Sequence, residues 1–249
     1  SSVTAPVNCN TRSKVDWRYP VPAIDFNQIS GSLCNIKKIA FQAESSTAGL
    51  ANLANACTQT PTTLTSSYLP QRASNGSFSA TRGYLIQLNS NNTYDLYRVD
   101  GENDTATNSY TGALTRTLVT AGISVPSSGI IFAEDNVWIR SNGNFSGRLT
   151  IGVGRLASNN NANITIVDNL VYSTKNGTDS IGLIAEGSAK LAPYAPPNTG
   201  NFTLEVNAAV IAQTGSVLFP SNFVSGSGSC TKGWVSSGQQ FNFYGSIAT

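Results

Sequence analysis

One arrangement of apolar and polar positions recurs through the second half of the chain. Two to four small or branched apolar residues meet a corner drawn from Glu, Asp, Asn, Gly and Thr, and a second apolar run follows. The pattern occupies residues 129–139, 164–172, 182–191 and 209–219. Short strands that repeat at irregular spacing, with variable inserts, predict stacked β-coils. The pattern therefore predicts a mainly β protein. On this reading residues 129–249 are expected to form a β-solenoid, a single-stranded β-helix, and residues 1–128 an N-terminal α+β cap that attaches to it.

The periodicity of the first half is mixed. Pro6, Pro20 and Pro22 favour an extended, non-helical start. Ile29, Leu33, Ile36, Ile39 and Ala40 fall at helical spacing, with Asp25 or Asn27 placed to cap the helix. The Ala-, Ser- and Thr-rich insert over 43–70 has room for a second short helix at about 47–56. Residues 83–88 and 93–99 both alternate, and Asn89, Ser90, Asn91 and Asn92 between them tolerate left-handed backbone, so the stretch predicts a β-hairpin. A polar loop over 100–108 follows. Residues 192–197 and 225–229 read as loops between coils.

Composition narrows the chemistry. Fifteen basic and 13 acidic residues leave a formal charge of +2 with no basic cluster, which argues against a nucleic-acid partner. Polarity comes instead from uncharged side chains, including 26 Asn, as on many secreted β proteins. No apolar run is long enough to span a membrane. The chain has no Met, so Ser1 is read as following something removed or left out upstream. It also has no His, which removes Ser-His-Asp and Cys-His catalysis and most catalytic zinc sites. Cys9, Cys34, Cys57 and Cys230 lack metal-binding spacing and fit two disulfides in an oxidising compartment. The favoured pairs are Cys34 with Cys57 and Cys9 with Cys230; buried free thiols are the alternative.

Three sets of residues are candidates for chemistry or binding. Glu134 and Asp135 form an adjacent acidic pair at one corner, with Asp168 and Glu186 at comparable corners. Stacked one coil apart, such carboxylates approach the roughly 5 to 9 Å separation that glycosidases use. The favoured reading of the same side chains is as acceptors for corner backbone N–H groups. Asp100, Glu102 and Asp104 place acidic oxygens at alternate positions, a partial Ca²⁺ pattern that lacks the glycine and distal glutamate of an EF-hand; the other reading is a solvated turn. Trp138, Trp234, Tyr172 and Tyr194 are able to stack on sugars. Trp138 points away from Val137 and Ile139, so it either faces solvent or is covered by the first half of the chain. Asn-x-Ser/Thr sequons stand at Asn75, Asn91, Asn103, Asn144, Asn163, Asn176 and Asn201.

Residues 19–27, the 83–99 hairpin, and residues 129–139, 147–151, 181–187 and 243–248 together resemble a family of bacterial surface proteins. These are type IV pilus-associated, pilin-like proteins of the PilX kind, in which a hydrophobic N-terminal helix carries a β-solenoid head. The resemblance spans most of the chain, and its motifs are structural. It implies an extracellular, non-enzymatic structural or adhesive protein whose partners are other copies of itself or other pilin-like subunits, with surface glycans as a further class. It supplies no catalytic residue and no cofactor, and most sequons are expected to be bare. The rival expectations are a polysaccharide-active β-helix enzyme and a carbohydrate-binding solenoid.

Overall fold

A computed structural model describes residues 26–42, 57–72, 79–103, 109–195, 203–218 and 240–249. The strands form two sheets. The first has six strands in the order β1 (Tyr68–Leu69), β5 (Ile130–Ala133), β7 (Arg148–Val153), β9 (Ser180–Ala185), β11 (Thr203–Ala212) and β13 (Gln240–Ala248). Every neighbouring pair in it is parallel. The second has seven, in the order β12 (Val217–Leu218), β10 (Ala189–Leu191), β8 (Ile164–Ile166), β6 (Asn136–Asn142), β2 (Gly83–Asn89), β3 (Thr93–Glu102) and β4 (Leu114–Ser124). Its strands are parallel from β12 to β2 and antiparallel from β2 to β4.

This architecture corrects the expected β-solenoid. The chain forms two sheets of six and seven strands, one of them mixed, with strands from two to eleven residues long. Nor does the first half stand apart: β2 pairs with β6 over seven residues, from Gly83 on Asn136 to Asn89 on Asn142. Alternation of apolar residues identifies a strand and its buried face but not its neighbour. The hairpin therefore reads as a cap in sequence while its strands extend the sheet in space.

Both sheets feed one core. Ile131, Leu149, Ile151, Leu183 and Val206 come from the six-stranded sheet; Ile86, Leu88, Leu96, Val137, Ile139 and Ile164 come from the other. Alternate residues of these strands point inward, so the apolar rows interdigitate between the layers and leave water together.

The outer faces are covered locally. Helix α1 (Phe26–Gln42) lies on the six-stranded sheet, where Leu33, Ala40 and Phe41 pack with Tyr68 and Phe132. The Phe41 ring meets the Tyr68 ring edge-on at 4.9 Å. Gly152 of β7 permits this approach, because a Cβ there would lie 2.8 Å from the Ile36 side chain. Ile39, expected on the buried stripe, is 42% exposed. Buried positions 33, 37, 40 and 41 follow the helical repeat more closely, and one of them is a lysine. The helix begins at Phe26, so Asn27 lies within it, while Asp25 and the expected 47–56 helix fall outside the described residues. Cys34 is disulfide-bonded to Cys57, 23 residues later; Cys9 and Cys230 fall outside the described residues. On the outer face of the seven-stranded sheet, Leu85, Val99, Trp138 and Val167 are covered by Ala113 and Leu114, at the junction of the short helix α2 (Tyr110–Ala113) with β4, and by Ala192, Tyr194 and Ala195.

Candidate functional site

The corner between β5 and β6 carries Glu134 and Asp135, both buried. Lys37 reaches this corner from α1 and forms an ion pair with Glu134 in which the lysine side chain has no solvent exposure. The same ammonium donates to the Gln59 carbonyl. Burial pushes the Glu134 carboxyl above its ordinary range, against the pull of Lys37, the Tyr68 hydroxyl and Arg155. Burial, with the charge and hydrogen bond of Glu134, likewise pushes Tyr68 well above the usual phenol range.

Asp135 turns toward a different partner. Its Oδ1 accepts from the buried Arg155 guanidinium and from the Asn136 N–H at 2.9 Å, and its Oδ2 accepts from the Arg72 N–H at 3.1 Å. Arg155 follows the end of β7; its Nε donates to the Glu134 carbonyl at 3.3 Å, and its backbone N–H donates to Glu186 Oε2 at 2.7 Å. The Arg72 guanidinium continues the chain of charges to Asp100 Oδ1 at 2.5 Å, and Arg98 pairs with the other oxygen of Asp100 at 3.2 Å. Alternating charges thus run from beneath α1, across the β5–β6 corner, to the outer part of the hairpin. Burying two carboxylates costs several kcal/mol each by desolvation unless such partners are present.

The other candidates are placed as follows. Glu186 joins this cluster through Arg155, and burial raises its carboxyl above the ordinary range. Asp168 belongs to another group: its Oδ2 accepts from Arg140 at 3.1 to 3.2 Å, and Arg140 also donates to Gln87 Oε1 at 2.7 Å and lies over the Tyr110 ring. Glu134, Asp135 and Glu186 therefore share Arg155, while Asp168 is held by Arg140.

Asp100 and Glu102 also diverge. Burial works against the charge of Asp100, but Arg72 and Arg98 together hold its carboxyl below the usual range. Glu102 Oε1 accepts from Trp138 Nε1 at 2.9 Å and from the Tyr194 hydroxyl at 2.6 Å. Asp104 lies outside the described residues. Among the described residues no three carboxylates or cysteines converge as a metal-binding group. Trp138, at 1% exposure, and Tyr194, at 1%, are closed over by their neighbours and present no stacking face. Tyr172 is buried against Tyr244, with ring centroids 6.3 Å apart, and Trp234 falls outside the described residues.

The aspartates accept corner N–H groups as the sequence suggested, but the asparagine ladders that follow them were not anticipated. In Asp135-Asn136 and Asp168-Asn169, the aspartate Oδ1 accepts the N–H of the following asparagine at 2.9 and 2.8 Å. Each asparagine Oδ1 then accepts a backbone N–H from another segment: Asn136 from Asn163 at 3.0 Å, and Asn169 from Glu205 at 2.8 Å. Asn163 extends the first ladder by accepting from Ser188 N–H at 2.8 Å. The recurring Asp-Asn dipeptide was the available signal. Such ladders satisfy corner donors that the strands leave open. They also use the side chain of Asn163, one of the sequon positions.

Chemically, the arrangement neutralises and fastens. Each candidate carboxylate among the described residues ends on a cation or on hydrogen-bond donors of the protein. No known protein family, characterised protein or solved structure matches the chain.

Proposed function

We propose that this is an extracellular structural or adhesive protein, the head domain of a pilin-like or surface-filament subunit, which acts by assembly and surface contact rather than by turnover. The observation that carries the reading is the fate of the acidic side chains. Glu134, Asp135, Asp168 and Asp100 are each held in ion pairs, and Glu102 and Glu186 accept hydrogen bonds from the protein. Carboxylates used this way join segments far apart in sequence and stiffen the body that carries the surface. The absence of His and the disulfide between Cys34 and Cys57 support the same reading. The partners in this proposal are other copies of the chain or other pilin-like subunits, and contact runs through strand edges and polar faces.

The test has two arms. Beads coated with the protein are expected to bind cell surfaces or to incorporate into surface filaments, and beads coated with heat-unfolded protein are expected not to. Incubation with acidic and neutral glycans is expected to release no product. Glycan cleavage that disappears in Asp135→Ala or Asp168→Ala, in variants that remain folded, would overturn the proposal.

A further inference from the structure

Two strands of nine or more residues stand at sheet edges among the described residues, β4 and β13, and they treat those edges differently. β4 is protected: its register with β3 is broken at three places, it carries Arg116, and Gly122 turns it into left-handed backbone at φ 65°. Bulges and charge are the usual ways in which an edge is kept from pairing. β13 has neither. It runs beside β11 in nine consecutive register pairs without a shift, and it contains no charged residue and no proline.

The register with β11 also shows which face of β13 is which. Phe241, Phe243, Gly245 and Ile247 lie beside Leu204, Val206, Ala208 and Val210, the inward row of β11. Phe241 and Phe243 pack on the core yet stay partly exposed, and Ile247 is 50% exposed. Val217 of β12, the last described strand of the other sheet in the same direction, is likewise only partly buried against the core. Among the described residues, Phe243 and Ile247 at this end of the core are covered only in part.

We propose that β13 pairs antiparallel with β13 of a second copy, about a two-fold axis through Tyr244. Tyr244 is the midpoint of the strand, so this register pairs all nine residues. It sets Phe241 against Ile247 and Phe243 against Gly245 on the core face, and Asn242 against Ser246 and Tyr244 against Tyr244 on the outer face. Apolar residues meet apolar residues, polar meet polar, and no like charges face each other. A Cβ on Gly245 would collide with the Ala208 carbonyl, which keeps the position a glycine, and the partner's Phe243 ring lies over this residue without a side chain. A slip of one residue would bring phenylalanines onto the polar face, which fixes the register. The pairing joins two six-stranded sheets edge to edge and covers the exposed parts of Phe243 and Ile247. It names the partner in the assembly reading above and rests on that reading.

The experiment is sedimentation of the purified full chain across a wide concentration range, with three variants. The unmodified chain is expected to form a dimer. Ile247→Lys, at an exposed position, is expected to weaken dimerisation at least tenfold while the circular dichroism spectrum is unchanged. Tyr244→Cys places two thiols about 5 Å apart at Cβ and is expected to oxidise to a linked dimer. Asn242→Cys, on the same face but offset by four residues or about 14 Å from its copy, is not. A monomer at every concentration, a dimer indifferent to Ile247→Lys, or equal linking through Asn242→Cys would each overturn the proposal. A chain that dimerises through β13 but neither adheres nor joins filaments would leave this pairing standing and overturn the functional reading instead.

Discussion

Lys37 carries the sharpest consequence of a single side chain. It is a lysine on the buried face of α1, and its partner Glu134 is buried as well. Replacing it with Met keeps the apolar stem and strands the carboxylate, which costs about 3 to 5 kcal/mol. Chemical denaturation of Lys37→Met should show that loss, and the double variant with Glu134→Gln should recover part of it. Asp179 contributes one part of the pH dependence. The Gly147 N–H at 2.8 Å, followed by the Thr174 hydroxyl and N–H, holds its carboxyl below the usual value near 3.8. A carboxyl lowered on folding contributes stability in full above its unfolded value, and the contribution is lost as pH falls through its folded value. Urea midpoints should therefore drop below about pH 4, and Asp179→Asn should flatten that part of the curve. The acidic corner at Glu134-Asp135 was legible in the sequence. Its cations were not, because Lys37 and Arg155 lie 97 and 20 residues from their partners and nothing local points to them.

At the scale of elements, period was a good guide and neighbourhood was not. The helical spacing of Leu33, Ile36 and Ala40 and the alternation on both sides of Asn89 predicted α1 and the β2–β3 hairpin, and both are present. The placement of β2 beside β6 depends on contacts between residues about 50 positions apart, which a window of ten or fifteen residues does not contain. Cover over Trp138 from the first half was among the expectations and is present in Ala113 and Leu114, while the same limit hid the part that Tyr194 supplies from far downstream. Helix α1 is fixed by three means: apolar packing on Tyr68 and Phe132, the Lys37 ion pair, and the bridge from Cys34 to Cys57. A bridge closing 23 residues restricts the unfolded chain by roughly 3 kcal/mol. Replacing both cysteines with Ala should lower the unfolding free energy by about that amount. Far-ultraviolet circular dichroism under native conditions should remain unchanged.

For the molecule as a whole, the shared interior decides the behaviour. Inward residues of β2, β3, β6 and β8 and those of β5, β7, β9 and β11 belong to one apolar cluster, so neither layer keeps a dry face without the other. Unfolding should accordingly be a single transition. Midpoints followed by Trp138 fluorescence, which reports the seven-stranded layer, and by hydrogen exchange of β7 and β9 should coincide. Separate midpoints would mean that the layers are independently stable.

The position of β2 has a consequence for how the chain is made. Its two hydrogen-bonded flanks are β3, which begins ten residues on from its start, and β6, which begins at Asn136. During synthesis the hairpin emerges first and must wait, one flank open, until some forty further residues have left the ribosome or the translocation channel. A chain obliged to pause in that state gains from whatever shields an unfinished apolar ribbon in the meantime, so its yield in a cell should respond to chaperone supply more than its final stability would indicate.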